Sequence, residues 1–198
     1  QHLTPQVSSY RKAPQHWSLV LIPEFWQVVA LRLVVSSARM AMIQLFQNQT
    51  LVVAMLLIAV TLLVYAPIRN HEFLGLDDHQ YVTENISIQQ GLSLDSLSWA
   101  MTAFKEGVWN PLTWLSFMLD YQLFGLDPAG YYLTNLFLHL ASVVLLFVVL
   151  HQLTGALWRS VLVAALFALH PLNVESVAWV TERKNVLSTL FGFLTMGA

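Results

Sequence analysis

Two pairs of adjacent charged residues could do chemistry in this chain: Asp77-Asp78, within Gly75-Leu76-Asp77-Asp78-His79-Gln80-Tyr81, and Arg183-Lys184, within Thr181-Glu182-Arg183-Lys184-Asn185. The acids follow an apolar run that ends at Pro67. A carboxylate there can meet a water-borne acceptor and a lipid-borne donor at once, which is the position of a general base. The same pair can serve as a solvated turn or a helix cap, because Asp hydrogen-bonds its own backbone in loops. Arg183 and Lys184 can hold an anionic lipid phosphate, Arg as a planar fork of donors and Lys as a point charge. Alternatively they pair with Glu182 and Glu175 or reach lipid head groups. His170 reads as a hydrogen-bonded helix terminus before it reads as a metal ligand. Pro171 interrupts the backbone between it and Glu175, so a shared face is not assured.

Composition sets the class in which these residues work. Of 198 residues, 57% are hydrophobic and 10% charged, against about 25% charged in soluble domains. The apolar residues are gathered into runs, so the expected fold is all-α, a polytopic transmembrane helical bundle. A formal net charge of −2, with no basic face, argues against a nucleic-acid partner. The chain has no cysteine, which removes disulfides, thiolate nucleophiles and Cys-based metal sites.

The elements that must position the two pairs follow from the runs. Residues 1–49 are expected to form a cytoplasmic and interfacial segment. Within it Trp17 to Val35 carries Pro23, Glu24 and Arg32, which are costly at the centre of a span. The first span is expected over about 50–68, since nothing between Arg39 and Arg69 is charged. The interval Arg69 to Asp127 holds eight of the eleven acidic residues and two basic ones, which marks a non-cytoplasmic loop over 69–127. Asp77 and Asp78 then face outward.

Within that loop, Leu94, Leu97, Met101 and Phe104 follow Ser93 at helical spacing and predict an amphipathic helix lying on the membrane or on the spans. Asn110-Pro111 opens a second helix that should stop near Gly125. Trp99, Trp109, Trp114, Tyr121 and Tyr131 are expected as interfacial anchors. Asp127-Pro128 repeats the cap-then-proline start, and a second span runs over about 128–153. A return run over 156–169 is short, and His170-Pro171 interrupts it. From about 186 the chain is apolar to Ala198, short of a full crossing, so the sequence is expected to be a fragment. By alternation of the spans, Arg183 and Lys184 lie on the same outer side as Asp77, against the positive-inside preference, which gives them a local reason to be there.

The series GLDDHQYVTEN, WNPLTWLSFMLDYQLFGLDPAGYYLTNLFLH, LTGALWRS and LFALHPLNVESVAWVTERKNVLSTLF resembles the N-terminal membrane region of the transmembrane and tetratricopeptide-repeat O-mannosyltransferase family, particularly its bacterial members. The resemblance runs from about Thr50 to the end. It implies a partial GT-C fold and an integral-membrane glycosyltransferase, in the bacterial inner membrane with its N-terminus cytoplasmic. Such an enzyme transfers a sugar, mannose in the family, from a polyprenyl-phosphate donor to a hydroxyl of a protein acceptor. It also implies a catalytic carboxylate at Asp77 or Asp78, lipid-phosphate contacts at Arg183 and Lys184, supporting roles for His170 and Glu175, and a tetratricopeptide array further on. Asn110 and Asn173 stand where the family more often has His, so a divalent-metal requirement is left open and no metal ligand is assigned. The rival classes are a transporter, which would also use a broken helix, and a membrane anchor for a repeat scaffold.

Overall fold

The structure, a computed structural model, describes residues 47–75, 77–104 and 107–197. The segment Trp17 to Val35 lies outside them. Residues Thr50–Ala198 form one compact unit, and among the described residues every regular element is helical. Among the described residues two helices are long and apolar enough to cross a membrane, Gln47–Asn70 and Pro128–Thr154. The first is α1, α-helical over 47–65, with a 3-10 turn over Ala66–Asn70 where Pro67 cannot continue the ladder. The second is α5, opened by Asp127, whose side chain accepts from the Ala129 N–H at 3.0 Å, and closed by Gly155 at φ 65°.

Between them lie a π-turn over His79–Thr83 and three helices, α2 (Ile86–Gln89), α3 (Leu94–Thr102) and α4 (Pro111–Phe124). Ser93 starts α3 as expected, in a reciprocal capping box with Ser96. Of the expected stripe, Leu94, Met101 and Phe104 are exposed and Leu97 is half-buried, which leaves the membrane rather than the spans as the surface for that face; Ser96 and Ala100 are the buried residues of α3, whose chief neighbour is α4. α4 stops at Phe124, before Gly125, as the sequence indicates.

Not all of the aromatic residues expected at the interface are found there. Trp114 and Tyr131 are fully buried. Trp114 packs against Tyr81 at 4.9 Å and Trp99 at 5.4 Å, inside a core that also takes Phe117, Met118, Tyr132 and Val180. Trp109 does remain exposed, its indole N–H donating to the Met101 carbonyl. Position along the chain gives the depth of an aromatic residue, but tertiary packing decides which way it turns.

After Gly155 the chain returns as α6 (Leu157–Leu169), bends by 55° at His170, and goes on as α7 (Pro171–Ala178), a 3-10 turn over Val180–Glu182 and α8 (Arg183–Gly197). If the bent pair counts as one crossing, the spans number three among the described residues. A helix broken at membrane depth frees carbonyls that lipid cannot satisfy. Here protein groups take them. At the break, His139 Nε2 meets the Ala168 carbonyl at 3.1 Å and Asn173 Nδ2 donates to the Phe167 carbonyl, and past the far end of α7 Asn135 Nδ2 lies 3.1 Å from the Trp179 carbonyl. Asn135 and His139 are one helical turn apart on α5, so one face of that span carries the polar groups the broken segment needs.

The α4–α5 corner depends on Gly130, where a Cβ would lie 2.2 Å from Cγ and 2.6 Å from Cβ of Phe124. Those atoms are close to the Phe124 backbone and cannot swing away. Gly130→Ala should therefore destabilise the fold by about 1–3 kcal/mol, and Phe124→Ala in the same chain should recover much of the loss. Thermal unfolding of the two variants in detergent measures both effects, and equal melting of Gly130→Ala and the parent would show that the corner is loosely packed.

Candidate functional site

The two adjacent acids have different surroundings. Asp78 is fully buried. Its Oδ2 accepts from the Leu74 N–H at 2.9 Å, and its Oδ1 accepts from both the N–H of Thr181, at 3.1 Å, and the Thr181 hydroxyl. A carboxylate receiving three protein donors has little capacity left for a substrate, and its role is to tie the loop after α1 to the turn before α8. Asp77 is exposed, with its backbone carbonyl accepting from the Tyr81 N–H at 2.9 Å. Of the pair, Asp77 is the carboxylate open to an incoming molecule.

The tie brings together parts of the chain that the sequence leaves far apart. Asp77 stands one residue from one end of it, and Lys184 three residues from the other. The loop is fixed further by the Tyr132 hydroxyl, which donates to the Glu72 carbonyl at 2.8 Å, and by Phe73 against Tyr131. The acidic loop and the start of α8 therefore share one end of the helical unit.

Arg183 and Lys184 also diverge. Arg183 is completely buried, and its guanidinium points inward. Nε donates to Asn135 Oδ1 at 2.7 Å, Nη2 to the Tyr131 carbonyl at 2.8 Å, and Nη1 reaches Ser116 at 3.3 Å and lies against the carboxylate of Asp120. The face of the guanidinium covers the Phe117 ring, 4.6 Å from its centroid. Asp120 accepts at its other oxygen from the Thr134 hydroxyl, 2.8 Å away. Burial raises the Asp120 carboxyl above its ordinary pKa, and the charge of Arg183 and the Thr134 bond work against that rise. Lys184, by contrast, is 32% exposed; its Nζ lies 2.8 Å from Glu182.

His170 and Glu175 are exposed. His170 caps α7, with Nδ1 accepting from the Leu172 N–H at 3.3 Å. Among the described residues no hydrogen bond or ion pair joins either of them to Asp77, Asp78 or Lys184, and no group of three His, Asp or Glu is placed to hold a metal ion. The residues that sequence reasoning passed over are Asp120, Thr134, Asn135 and Thr181. A signal was present in two cases: Asp120 is the lone acid in the apolar helix α4, and Asn135 interrupts a span, where polar residues carry a cost and hence a reason.

Beside Lys184 is a pocket of about 260 Å3, enclosed by the start of α4 and the first turns of α8. Its wall includes Trp109, Asn110, Thr113, Ser188 and Phe191. Asn110 precedes α4 as the sequence suggested, but its side chain makes no capping bond, and its Nδ2 is buried without a hydrogen-bond partner.

The chain is similar to known protein O-mannosyl-transferases. It is 39% identical to Tmtc1 of Drosophila melanogaster over 84 residues, which is 42% of this chain and 10% of that protein. It is 32% identical to Tmtc2 of the same organism over 127 residues, 60% of this chain and 14% of that protein. With TMTC4 of Mus musculus the identity is 30% over 159 residues, 69% of this chain and 21% of that protein. The chain thus spans between a tenth and about a fifth of the length of these relatives. No family model matches it, and no solved structure does.

The inward guanidinium sets a stability test. Arg183→Met leaves Asp120 buried beside no cation and should cost about 3–5 kcal/mol. The double variant Asp120→Leu with Arg183→Met removes both charges and should lose clearly less than the sum of the two single changes. Additive losses in thermal unfolding would mean that the two side chains are not coupled.

Proposed function

We propose that this chain is the N-terminal part of an integral-membrane glycosyltransferase of the GT-C type, which transfers mannose from a polyprenyl-phosphate donor to a hydroxyl of a protein acceptor. The similarity to protein O-mannosyl-transferases supports the reaction class. The observation that carries the site is the bond between Asp78 and Thr181, because it draws an exposed carboxylate and a partly exposed ammonium to one end of the helices.

In this reading the reaction is a single displacement. Asp77 takes the proton of the acceptor hydroxyl while that oxygen attacks the anomeric carbon. The bond from that carbon to the phosphate oxygen breaks, and the lipid phosphate leaves with the electron pair. Lys184 meets the charge that develops on it. The donor already carries a good leaving group, so one base is enough and no second carboxylate need act as an acid, unlike glycoside hydrolysis. Asp78 and Arg183 act as positioning residues, Asp78 by holding the loop to Thr181 and Arg183 by anchoring the first turn of α8. His170 and Glu175 serve in support, His170 by fixing the start of α7. The loop and the start of α8 face the non-cytoplasmic side, and the membrane is the bacterial inner membrane.

Asp77→Asn in the full-length protein should lower the rate of sugar transfer by about 10²–10⁴-fold while leaving the melting temperature unchanged, as expected for loss of a general base. Asp78→Asn should lower both, because it weakens the tie. Transfer is read from incorporation of labelled mannose into a protein acceptor. Undiminished transfer by Asp77→Asn would remove the base assignment.

A further inference from the structure

A groove of about 540 Å3 lies where the last turns of α1 meet the start of α5. It extends from Ala59 to Arg69 on α1, with Leu133 and Leu136 of α5 as its other wall. The lining is aliphatic except at Tyr65 and Arg69, which alone bring polar groups to it. Arg69 stands at the end that leads into the acidic loop. Its side chain is exposed, and among the described residues no hydrogen bond or ion pair engages its guanidinium. Tyr65, about one turn deeper, is 3% exposed, and its hydroxyl is buried without a hydrogen-bond partner. A buried hydroxyl left unsatisfied is destabilising, so its persistence points to an acceptor that comes from outside the protein.

The groove has the length of one leaflet. From Ala59 to Arg69 the helix rises about 15 Å, half of a hydrocarbon core of about 30 Å, so the groove begins near the bilayer centre and ends at the interface. Arg69 then stands at the level of lipid phosphates, and Tyr65 at that of the ester carbonyls beneath them. An aliphatic wall with one unpaired cation at its interfacial end is complementary to an acyl chain that hangs from a phosphate. The phenol narrows the choice of lipid, because a polyprenyl phosphate carries no oxygen below its phosphate and would leave the hydroxyl unmet. The groove is also turned away from the ionic core. Leu133 is two residues from both Tyr131 and Asn135, which bind Arg183, and two residues turn a helix by about 200°. No residue lines both this groove and the pocket beside Lys184. We infer that the groove is a site for a diacyl phospholipid of that leaflet, with its phosphate on Arg69, an ester carbonyl on the Tyr65 hydroxyl and one acyl chain along Leu62 and Leu133. The inference depends on the bilayer and not on the transfer reaction.

The test uses the full-length protein in detergent and palmitoyl-oleoyl phosphatidylglycerol as the probe, with binding followed by native mass spectrometry. Arg69→Gln should weaken binding by at least about tenfold, the loss expected for one hydrogen bond to a charged group, and Tyr65→Phe by about threefold, the loss expected for a neutral one. Because the Arg69 side chain is exposed and unpaired, Arg69→Gln should melt like the parent when no phospholipid is present, which separates lost binding from lost folding. Palmitoyl-oleoyl glycerol, the same lipid without its phosphate, should bind far more weakly than the probe, and undecaprenyl phosphate should compete poorly. In membranes, phosphatidylglycerol with a photoreactive diazirine in one acyl chain should label α1 between Ala59 and Arg69 and α5 at Leu133 or Leu136. Unchanged affinity in both variants, or equal binding of palmitoyl-oleoyl glycerol, would overturn the site. Equal competition by undecaprenyl phosphate would hand the groove to the sugar donor. A photoreactive amino acid at Leu62 that crosslinks to a segment of the chain other than α5, with no lipid captured, would hand it to a protein helix. Either of these results would also overturn the inference.

Discussion

The guanidinium of Arg183 is the contact on which the rest of the unit depends. It is fully enclosed, and its donors are shared between α4, through Ser116 and Asp120, and α5, through Tyr131 and Asn135. A charge this deep is tolerated when its partners are complete, and a missing partner is costly. One residue therefore fixes where α8 begins relative to α4 and α5. Because Lys184 is next in the chain, the buried cation also determines where the exposed one is presented. The doublet is a division of labour between an anchor and a contact.

A second constraint comes from the bend at His170. In an apolar surrounding a broken helix persists only if the carbonyls it frees find donors. His139 of α5 supplies one at Ala168 and Asn173 another at Phe167, while Asn135 of α5 meets the Trp179 carbonyl past the far end of α7. Asn135 takes part in both systems, since its amide nitrogen reaches the Trp179 carbonyl while its oxygen accepts from Arg183. The broken helix and the buried ion pair are thus parts of one polar network threaded through an otherwise apolar bundle. Apolar packing elsewhere is conventional: Ala164 and Ala168 of α6 lie against Val143 and Phe147 of α5 and Val53 and Leu57 of α1.

The sequence was most legible where the rules are local. Ser93, Asp127-Pro128, Gly125 and Gly155 mark helix ends, and each does so in the structure. The apolar runs give the spans. Local rules are silent on direction. Nothing in Asp77-Asp78 says which carboxylate turns inward, because the answer lies with Thr181, 103 residues later. Nothing in Arg183-Lys184 says that the Arg is enclosed, because its partners are on α4 and α5. Trp114, expected at the interface, lies in the core for the same reason: interfacial depth is a property of the segment, whereas burial depends on Tyr81 and Trp99. The candidate site was therefore legible as a set of segments, and the role of each side chain in it was not.

The bond between Asp78 and Thr181 also has a bearing on biogenesis. Its partners leave the ribosome 103 residues apart, an interval of roughly 5–20 s at ordinary synthesis rates. Throughout that time α1 and the loop after it exist without the residue that locks them, and the Asp78 carboxylate stays hydrated. Folding of the loop must wait until α5, α6 and α7 have been inserted. The segments that carry the exposed acid and the ammonium are therefore joined late, when most of the bundle already stands.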